Sequence, residues 1–434
     1  METSQIITSL VLPYDSQMSQ IRSYFDKIPD SRAANIVYKL SDVLMSGLAM
    51  FILKHPSIHR FEQQTKQEQV NLQALFGIEK LCTDAQMRNI LDEVSPEHLR
   101  GFFTDYYSQL QQKGLIDDYR YYDNCFILAI DGVEHFNSTK INCPNCQCTN
   151  HSNGSVHYSH AMLVASIVCP KQAEVFPLSL EPIVKQDGVE KNDCERNACG
   201  RLMTGLQKNY ARQRFIFTGD ALFANAPHIR RILADFWHFV LNIKPKSHKT
   251  LFNAFEARRK AKALGFMERR DKGEIHRFYW ANNLPLCETG ADVRVNVLWY
   301  EFTDKKGKTT TFTWCTDFPL NKKNVQKIME IGRCRWKIEN ETFNTLKNQG
   351  YHFEHNYGHG YKHLATTLAF IMFIAFAIDQ LVQKTGALFK KVWDATKTKA
   401  RIWESLRAVF MTQYVKSFKH LYIIIAQMFE VKLE

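Results

Sequence analysis

The stretch FILAIDG, residues 126–132, is a short apolar run that ends in an aspartate followed by glycine. An apolar run of this length between polar residues predicts a buried β-strand. A second run, RFIFTGD at residues 214–220, has the same form and also ends in an aspartate. Sites in α/β sheets are built at the carboxyl ends of strands, so Asp131 and Asp220 are candidate site residues. A single aspartate at the end of a strand is most often a turn former. Two of them raise the question of whether a third carboxylate joins them.

Strands and helices alternate around these two runs. The stretches YSHAMLVASIVCP (158–170) and EVFPLSLEPI (174–183) predict neighbouring strands, and KNDCERNACGRLMTGLQKNYA (191–211) and NAPHIRRILADF (225–236) predict helices. This alternation predicts an α/β layer architecture.

Further from the two runs, the composition changes several times. Residues 244–272 contain ten basic and three acidic residues, and HRFYWA, VRVNVLWYEFT and TTTFTWCTD follow as predicted antiparallel strands. The predicted organisation is a flexible arm at 1–30, a helical N-terminal domain at 31–118, an α/β core at 119–240 and 326–385, a basic β-rich insertion at 241–325, and a helical basic C-terminal region at 386–434.

The overall charge favours a polyanionic partner. The net charge is +12 and the isoelectric point is near 9.1, which is typical of proteins that bind nucleic acid. No secretory signal is evident at the N-terminus, and 11 cysteines in 434 residues suit a reduced, cytoplasmic setting. The apolar run LATTLAFIMFIAFAI (364–378) is shorter than the roughly 20 residues of a membrane span. We predict a buried core helix there and no membrane association.

A third acid comes from GRCRWKIENETFNTLK, residues 332–347, which has the periodicity of one helix. The apolar side of that helix would consist of Trp336, Phe343 and Leu346. At about 3.6 residues per turn, Glu339 falls on this apolar side and Glu341 points away from it. A glutamate among packing residues needs a metal or a positive partner, and Arg335 lies one turn earlier. The pattern predicts Glu339 as the functional acid and Glu341 as a solvated surface charge.

Three carboxylates that converge on one point repel each other unless cations hold them. Oxygen ligands without a thiolate suit Mg²⁺ or Mn²⁺. Two such ions about 4 Å apart activate a nucleophile and stabilise the leaving oxygen in phosphodiester chemistry. The predicted cofactor is therefore a pair of Mg²⁺ or Mn²⁺ ions bound by Asp131, Asp220 and Glu339.

Together, AIDG, FTGD and RWKIENE–FN–LK resemble the motifs of DDE transposases from bacterial insertion sequences, in particular the group with a Tyr-Arg-Glu-Lys signature. The resemblance covers roughly residues 120 to 385. It implies an RNase H-like catalytic core, in which many members carry a β-strand insertion between the second aspartate and the glutamate. The gap of 119 residues between Asp220 and Glu339 is long enough for such an insertion.

The resemblance also implies roles for individual residues. Asp131, Asp220 and Glu339 would form the catalytic, metal-binding triad, and Arg335 and Lys347 would hold DNA phosphates. Two positions depart from the signature: Gly332 stands at the tyrosine position, and Leu346 stands at the lysine position with Lys347 next to it.

The implied substrate is double-stranded DNA, both the element's ends and the target. The implied reaction is hydrolysis that frees a 3′-hydroxyl, followed by attack of that hydroxyl on target DNA. A homodimer on DNA and a cytoplasmic, nucleoid-associated location are implied as well, with the helical N-terminal domain as the reader of the terminal repeats. Two alternatives remain: another metal-dependent nuclease with an RNase H-like core, and a relative that binds DNA without cutting it.

The sequence CPNCQCTNH is a candidate structural zinc site. Its ligand types and tight spacing suit Zn²⁺, although reduced, unliganded cysteines are the alternative. The candidate ligands are Cys143, Cys146, Cys148 and His151, with a second pair available among Cys169, Cys194, Cys199, His157 and His160.

Two further groups of titratable residues have weaker patterns. The histidines of YHFEHNYGHGYKHL recur at a spacing of four, but Gly358 and Gly360 interrupt a helix, so we predict a loop that contacts DNA or packs beside the site. Asp193 and Glu195, in the first turn of a predicted helix, suit the helix dipole and are secondary candidates for approach to the site.

Overall fold

Strands from the middle of the chain form one mixed sheet in the computed structural model, which describes residues 12–33, 35–184, 194–288, 290 and 292–433. Within these residues the strands are β1 (Arg120–Tyr122), β2 (Cys125–Ser138), β3 (Gln147–Asn150), β4 (Val156–Val168), β5 (Phe176–Ile183), β6 (Phe215–Gly219), β7 (His238–Asn242), β8 (Gly265–Asp271), β9 (Glu274–Pro285), β10 (Arg294–Thr303) and β11 (Thr309–Thr316). Their order across the sheet is β3-β4-β2-β6-β7-β11-β10-β9-β8, with β1 paired to β2 and β5 paired to β4.

Helices precede, interrupt and follow these strands, which confirms the predicted α/β class. They are α1 (Tyr14–Phe25), α2 (Leu40–Ile52), α3 (Ile58–Thr65), α4 (Gln69–Phe76), α5 (Asp84–Asp92), α6 (Glu97–Gln112), α7 (Glu195–Asn209), α8 (Ala226–Ala234), α9 (Lys249–Lys260), α10 (Val325–Cys334), α11 (Asn344–Asn348), α12 (Leu364–Thr385), α13 (Ala387–Thr396), α14 (Lys399–Thr412) and α15 (Phe418–Met428). A π-helix, Ile338–Phe343, directly precedes α11.

The centre of the sheet contains the two apolar runs. Strand β2 pairs in parallel with β6, and β6 pairs in parallel with β7. On its other side β2 pairs antiparallel with β4, which pairs antiparallel with β5. Residues Cys125–Ile130 of β2 and the whole of β6 are buried, as continuous apolar runs in a covered sheet require.

The β-rich insertion continues this same sheet. Strand β11 pairs antiparallel with β7, with Trp314 opposite Asn242. The three predicted antiparallel strands are confirmed as β9, β10 and β11. The basic run before them contains α9 and an edge strand, β8, which the sequence patterns did not reveal because most of its residues are exposed.

The long apolar helix α12 lies in the hydrophobic core, as predicted. It is the one helix in the described ranges that is long and apolar enough to cross a membrane, and its most apolar window is entirely buried. The N-terminal helices α2, α5 and α6 pack against it. These helices and the sheet therefore share one core.

The predicted arm at 1–30 differs from the structure where the structure describes it. Residues 1–11 lie outside the described residues, but Tyr14–Phe25 form helix α1. The hydroxyl of Tyr14 donates a hydrogen bond of 2.5 Å to Asp379 of α12, and its side chain is fully buried. The polar composition of this segment concealed an apolar stripe of Tyr14, Met18, Ile21 and Phe25.

Gly332, at the signature tyrosine position, lies against the sheet. A Cβ atom at this residue would lie 2.4 Å from Nε1 of Trp314, whose indole is buried. A buried ring cannot move aside freely, so we expect Gly332→Ala to lower the free energy of unfolding by about 1–3 kcal/mol. Urea denaturation followed by circular dichroism measures this change.

Gly200 is the matched control because it also lies in a helix, α7, but has no atom within 4 Å of an added Cβ. We expect Gly200→Ala to leave stability unchanged or to raise it by up to about 1 kcal/mol, because alanine favours the helix. Equal effects of the two substitutions would contradict the close contact between Gly332 and Trp314.

Candidate active site

Strand pairing brings Asp131 and Asp220 to the same edge of the parallel strands. The last parallel pair between β2 and β6 is Ala129 with Thr218, and each aspartate lies two residues beyond it. Asp220 follows the end of β6, as predicted. Asp131 does not end its strand, because β2 continues to Ser138 through antiparallel pairing with β4. The aspartate therefore lies where the parallel ladder ends and the antiparallel ladder continues.

Both aspartates line an open cavity of about 670 Å³. Its walls come from the two core strands, from the β-rich insertion and from the segment after α10. The residues that line it are Asp131, Asp220, Asn242, Ile243, Lys244, Pro245, Trp299, Thr311, Phe312, Thr313, Trp314, Arg335 and Trp336. The insertion thus forms one wall of the cavity that contains the carboxylates.

Asp131 is held by two donors. Nη1 of Arg335 donates to Oδ2 of Asp131 at 2.7 Å, and the Gly132 amide donates to Oδ1 at 3.0 Å. Burial nevertheless raises the pKa of Asp131, and the nearby charges of Asp220 and Glu339 raise it further, while Arg335 and the amide oppose the shift. This environment concentrates negative charge and favours binding of a cation.

Asp220 is fixed by the turn that follows β6. Its Oδ1 accepts a hydrogen bond of 2.8 Å from the Leu222 amide, and the Phe223 amide donates to its carbonyl oxygen at 3.2 Å. The turn holds the side chain of Asp220 where it lines the cavity.

Glu339 lies in the π-helix, which packs against β2. Its charge contributes to the raised pKa of Asp131, so the two carboxylates interact across the site. Glu341 faces another part of the molecule, a separate cavity of about 470 Å³ that it lines together with Lys399. Burial lowers the pKa of Lys399, and the Glu341 carboxylate opposes that shift. Only Glu339 is therefore directed towards the aspartates.

The predicted burial of the two glutamates is wrong, although the structure separates them as predicted. Glu339 is exposed rather than placed among packing residues, and Glu341 is half-buried beside Lys399 rather than solvated. Trp336 was expected to pack against the sheet and is 49% exposed. The cause is the π-helix, because its wider turn breaks the spacing of about 3.6 residues per turn on which the prediction relied.

Glu195 is a fourth carboxylate at this site. A Cβ atom on Gly132 would lie 2.7 Å from Oε1 of Glu195, so this carboxylate lies directly beside the residue that follows Asp131. Burial raises the pKa of Glu195, and the charges of Asp220 and Asp131 raise it further. The sequence reasoning named Glu195 only as a secondary candidate, and Asp193 lies outside the described residues.

The basic side chains at the site are partly those predicted. Arg335 lines the cavity, and its side chain is only 12% exposed. Lys347 forms an ion pair of 2.9 Å with Glu354 and does not line the cavity. Lys244, which was counted only within the basic run, is exposed and lines the cavity. The signal was a lysine two residues after the end of β7, since β7 is the next parallel strand beside β6.

The Cys/His cluster agrees only in part with the predicted ligand set, since it contains Cys143, Cys146 and one candidate for the second pair, His160, but also His359, which was not a candidate. Cys143 and Cys146 meet His160 and His359, and their four ligand atoms lie within 4.8 Å of one another. The structure does not bring Cys148 or His151 into this group; Sγ of Cys148 lies near the Cys146 carbonyl, and the His151 ring packs against His157. His359 comes from the loop predicted to contact DNA or to pack beside the site.

The donor set at the cavity fits hard divalent cations. Asp131 and Asp220 line the cavity, and the charges of Glu195 and Glu339 interact with that of Asp131. Arg335 is the positive partner that the structure places on Asp131. Carboxylate oxygens without a thiolate suit Mg²⁺ or Mn²⁺. The excess of negative charge is what such ions would neutralise.

Comparison with known protein families assigns the chain to one family. The family model described as Transposase DDE domain matches residues 151–377, more than half of the chain. The protein belongs to the DDE transposase family, as the sequence motifs indicated. The matched region contains Asp220 and Glu339 and begins after Asp131. No curated protein matches the chain.

Proposed function

We propose that the protein is the DNA transposase of an insertion sequence, and that Asp131, Asp220 and Glu339 form its catalytic triad. The observation that carries this proposal is that two parallel strands bring Asp131 and Asp220 to one cavity beside the guanidinium of Arg335, while the charge of Glu339 on the π-helix acts on Asp131. The family supports transposition as the reaction.

The strand order supports an RNase H-like core. In this fold three antiparallel strands precede two strands that are parallel to the first, which is the arrangement of β2, β4, β5, β6 and β7 here. The boundaries proposed for the core are 119–240 and 326–385, with the insertion at 241–325 between them. Because β11 pairs with β7, the insertion is a lateral extension of the core sheet.

Asp131, Asp220 and Glu339 would hold two Mg²⁺ or Mn²⁺ ions, with Glu195 beside them. Such ions activate a nucleophile and stabilise the leaving oxygen of a phosphodiester. Arg335 holds Asp131 in position through its hydrogen bond, and its guanidinium suits a DNA phosphate near the scissile bond. Lys244 provides a second phosphate contact across the cavity. Lys347 stays a candidate only for DNA that extends beyond the cavity.

Aromatic residues of the insertion complete a surface for DNA. Phe312 and Trp299 of the insertion line the cavity, together with the half-exposed Trp336, which follows α10. Unstacked bases pack well on such rings. The basic residues of α9 and the net charge of +12 add affinity for the phosphate backbone that does not depend on base sequence.

The assembly and location follow from this reaction. The protein would act on double-stranded DNA in the cytoplasm, at the nucleoid, as a homodimer that joins two element ends. The helical segment at 31–118 is the proposed reader of the terminal repeats, and the helical region at 386–434 adds positive charge. Dimerisation is tested by light scattering of the protein with and without DNA that carries an element end.

We expect the full-length protein, with Mg²⁺, to cut duplex DNA at the ends that flank its own gene and to leave a 3′-hydroxyl. The matched control is the same duplex with its terminal repeats scrambled, which should stay intact. Denaturing gels of end-labelled strands measure both. Equal cleavage of the two duplexes would favour the alternative of a different metal-dependent nuclease. Binding without cleavage would favour a non-catalytic relative.

Glu195 should contribute to metal binding. Because its carboxylate lies beside Asp131 and Asp220, we expect Glu195→Gln to weaken Mn²⁺ binding by about tenfold in the absence of DNA. Isothermal titration calorimetry measures the affinity. Glu341→Gln is the matched control, because it removes the same charge from the separate cavity beside Lys399. An unchanged affinity in Glu195→Gln would remove Glu195 from the metal site.

A further inference from the structure

The Cys/His cluster lies where a loop and a strand that are close in sequence meet a second loop that is distant from both. Cys143 and Cys146 belong to the loop between β2 and β3, and His160 belongs to β4. His359 comes from the loop between α11 and α12, and 213 residues separate it from Cys146. Three of the four side chains are buried. A buried set of two thiols and two imidazoles is a ligand set that proteins use for zinc.

The distances between these atoms match the edges of a zinc tetrahedron. Bonds of about 2.3 Å to sulfur and about 2.0–2.1 Å to nitrogen place two sulfurs about 3.8 Å apart, sulfur and nitrogen about 3.5 Å apart, and two nitrogens about 3.3 Å apart. The Sγ atoms of Cys143 and Cys146 lie 3.8 Å apart. Each Sγ lies 3.4 Å from Nε2 of His160, and Sγ of Cys146 lies 3.2 Å from Nε2 of His359. The two Nε2 atoms lie 3.2 Å apart.

The surroundings of His359 suit a zinc ligand. Nδ1 of His359 lies 2.8 Å from the Gly360 carbonyl oxygen, to which it can donate a hydrogen bond. With its proton on Nδ1, the ring presents the lone pair of Nε2 to a metal. The Phe136 ring lies 4.4 Å from the His359 ring, and Nδ2 of Asn145 donates to the Lys362 carbonyl at 2.9 Å. These contacts hold the two loops together around the cluster. Cys143 and Cys146 are both free thiols in the structure.

We propose that Cys143, Cys146, His160 and His359 form a closed structural zinc site. Four protein ligands leave no open position, so the ion stabilises the fold and does not activate water. The site fastens the loop that follows β2, the strand of Asp131, to the segment that follows the π-helix of Glu339. The zinc site thus links the segments that follow two of the proposed catalytic carboxylates. Its role in holding these carboxylates in place rests on the proposed function.

Metal analysis of the purified full-length protein tests the site. We expect about one zinc per chain by mass spectrometry, and loss of this zinc in Cys146→Ser and in His359→Asn. Cys148→Ser and His157→Asn are matched controls from β3 and β4, and both should retain the zinc. Asp220→Asn should retain it as well, which separates this site from the proposed Mg²⁺ site.

Cobalt binding to the wild-type protein is a second measurement of the metal site, and it does not depend on the folding of a variant. Wild-type protein treated with a chelator and then with Co²⁺ should show the visible absorption of a tetrahedral thiolate site. His359→Cys should retain the metal because it replaces one ligand by another. The proposal is overturned if wild-type protein takes up neither zinc nor cobalt, or if Cys146→Ser retains as much zinc as Cys148→Ser. Loss of zinc from Cys148→Ser would overturn this ligand set.

Discussion

Glu339→Gln should abolish DNA cleavage, whereas Glu341→Gln should cleave like the wild type. The two glutamates are two residues apart, but the Glu339 charge acts on Asp131, whereas Glu341 faces Lys399. Loss of one carboxylate from a metal-binding triad removes several kcal/mol of transition-state stabilisation. We therefore expect cleavage by Glu339→Gln to fall by at least about 10³-fold. Single-turnover cleavage of DNA with an element end, in Mg²⁺, measures the rates.

Binding separates a catalytic effect from a folding defect. Glu339→Gln should bind the same DNA as tightly as the wild type, because on the proposed function the basic residues outside the site, including those of α9, would supply most of the affinity. Fluorescence anisotropy at fixed salt measures this. If Glu341→Gln is the inactive variant, then the orientation of the π-helix is wrong. If both variants cut normally, then the proposed triad is wrong.

Asp379→Asn should destabilise the fold strongly. Asp379 on α12 accepts a hydrogen bond of 2.5 Å from Tyr14 and forms an ion pair of 2.6 Å with Lys54, and Tyr351 also donates to it. The side chains of Lys54 and Asp379 are both fully buried. Burial lowers the pKa of Lys54, and the Asp379 charge opposes that shift. The neutral amide would leave a buried ammonium group without its counter-charge.

The expected loss in free energy of unfolding is about 3–5 kcal/mol, as for other buried pairs that lose one partner. Urea denaturation with circular dichroism measures it. Asp394→Asn, an exposed acid on α13, is the control and should change stability by less than about 0.5 kcal/mol. If Asp379→Asn unfolds at the same urea concentration as the wild type, the contacts of Asp379 with Lys54 and Tyr14 do not hold these segments together.

Local patterns in the sequence were sufficient for several features. The two apolar runs predicted β2 and β6, and the strand-like stretches HRFYWA, VRVNVLWYEFT and TTTFTWCTD predicted β9, β10 and β11. These predictions succeed because the order of apolar and polar residues in a strand indicates which of its faces are buried. The length and composition of LATTLAFIMFIAFAI predicted a core helix in the same way, and α12 is buried. The motif resemblance indicated the family, which the match over residues 151–377 confirms.

Only the tertiary structure decided how the site is assembled. The π-helix sets the directions of Glu339 and Glu341, and no regular periodicity encodes it. Glu195 reaches Asp131 because Gly132 leaves room for it, and Lys244 rather than Lys347 enters the cavity because β7 lies beside β6.

The same holds for contacts between segments that are far apart in the chain. The Cys/His cluster exchanges Cys148 and His151 for His160 and His359, and the buried pair of Lys54 and Asp379 joins residues 325 positions apart. Such pairs depend on which surfaces meet after folding, and a single sequence carries no local signal for them. The sequence by itself determined the strands, the core helix and the family; packing determined which charged and metal-binding side chains meet.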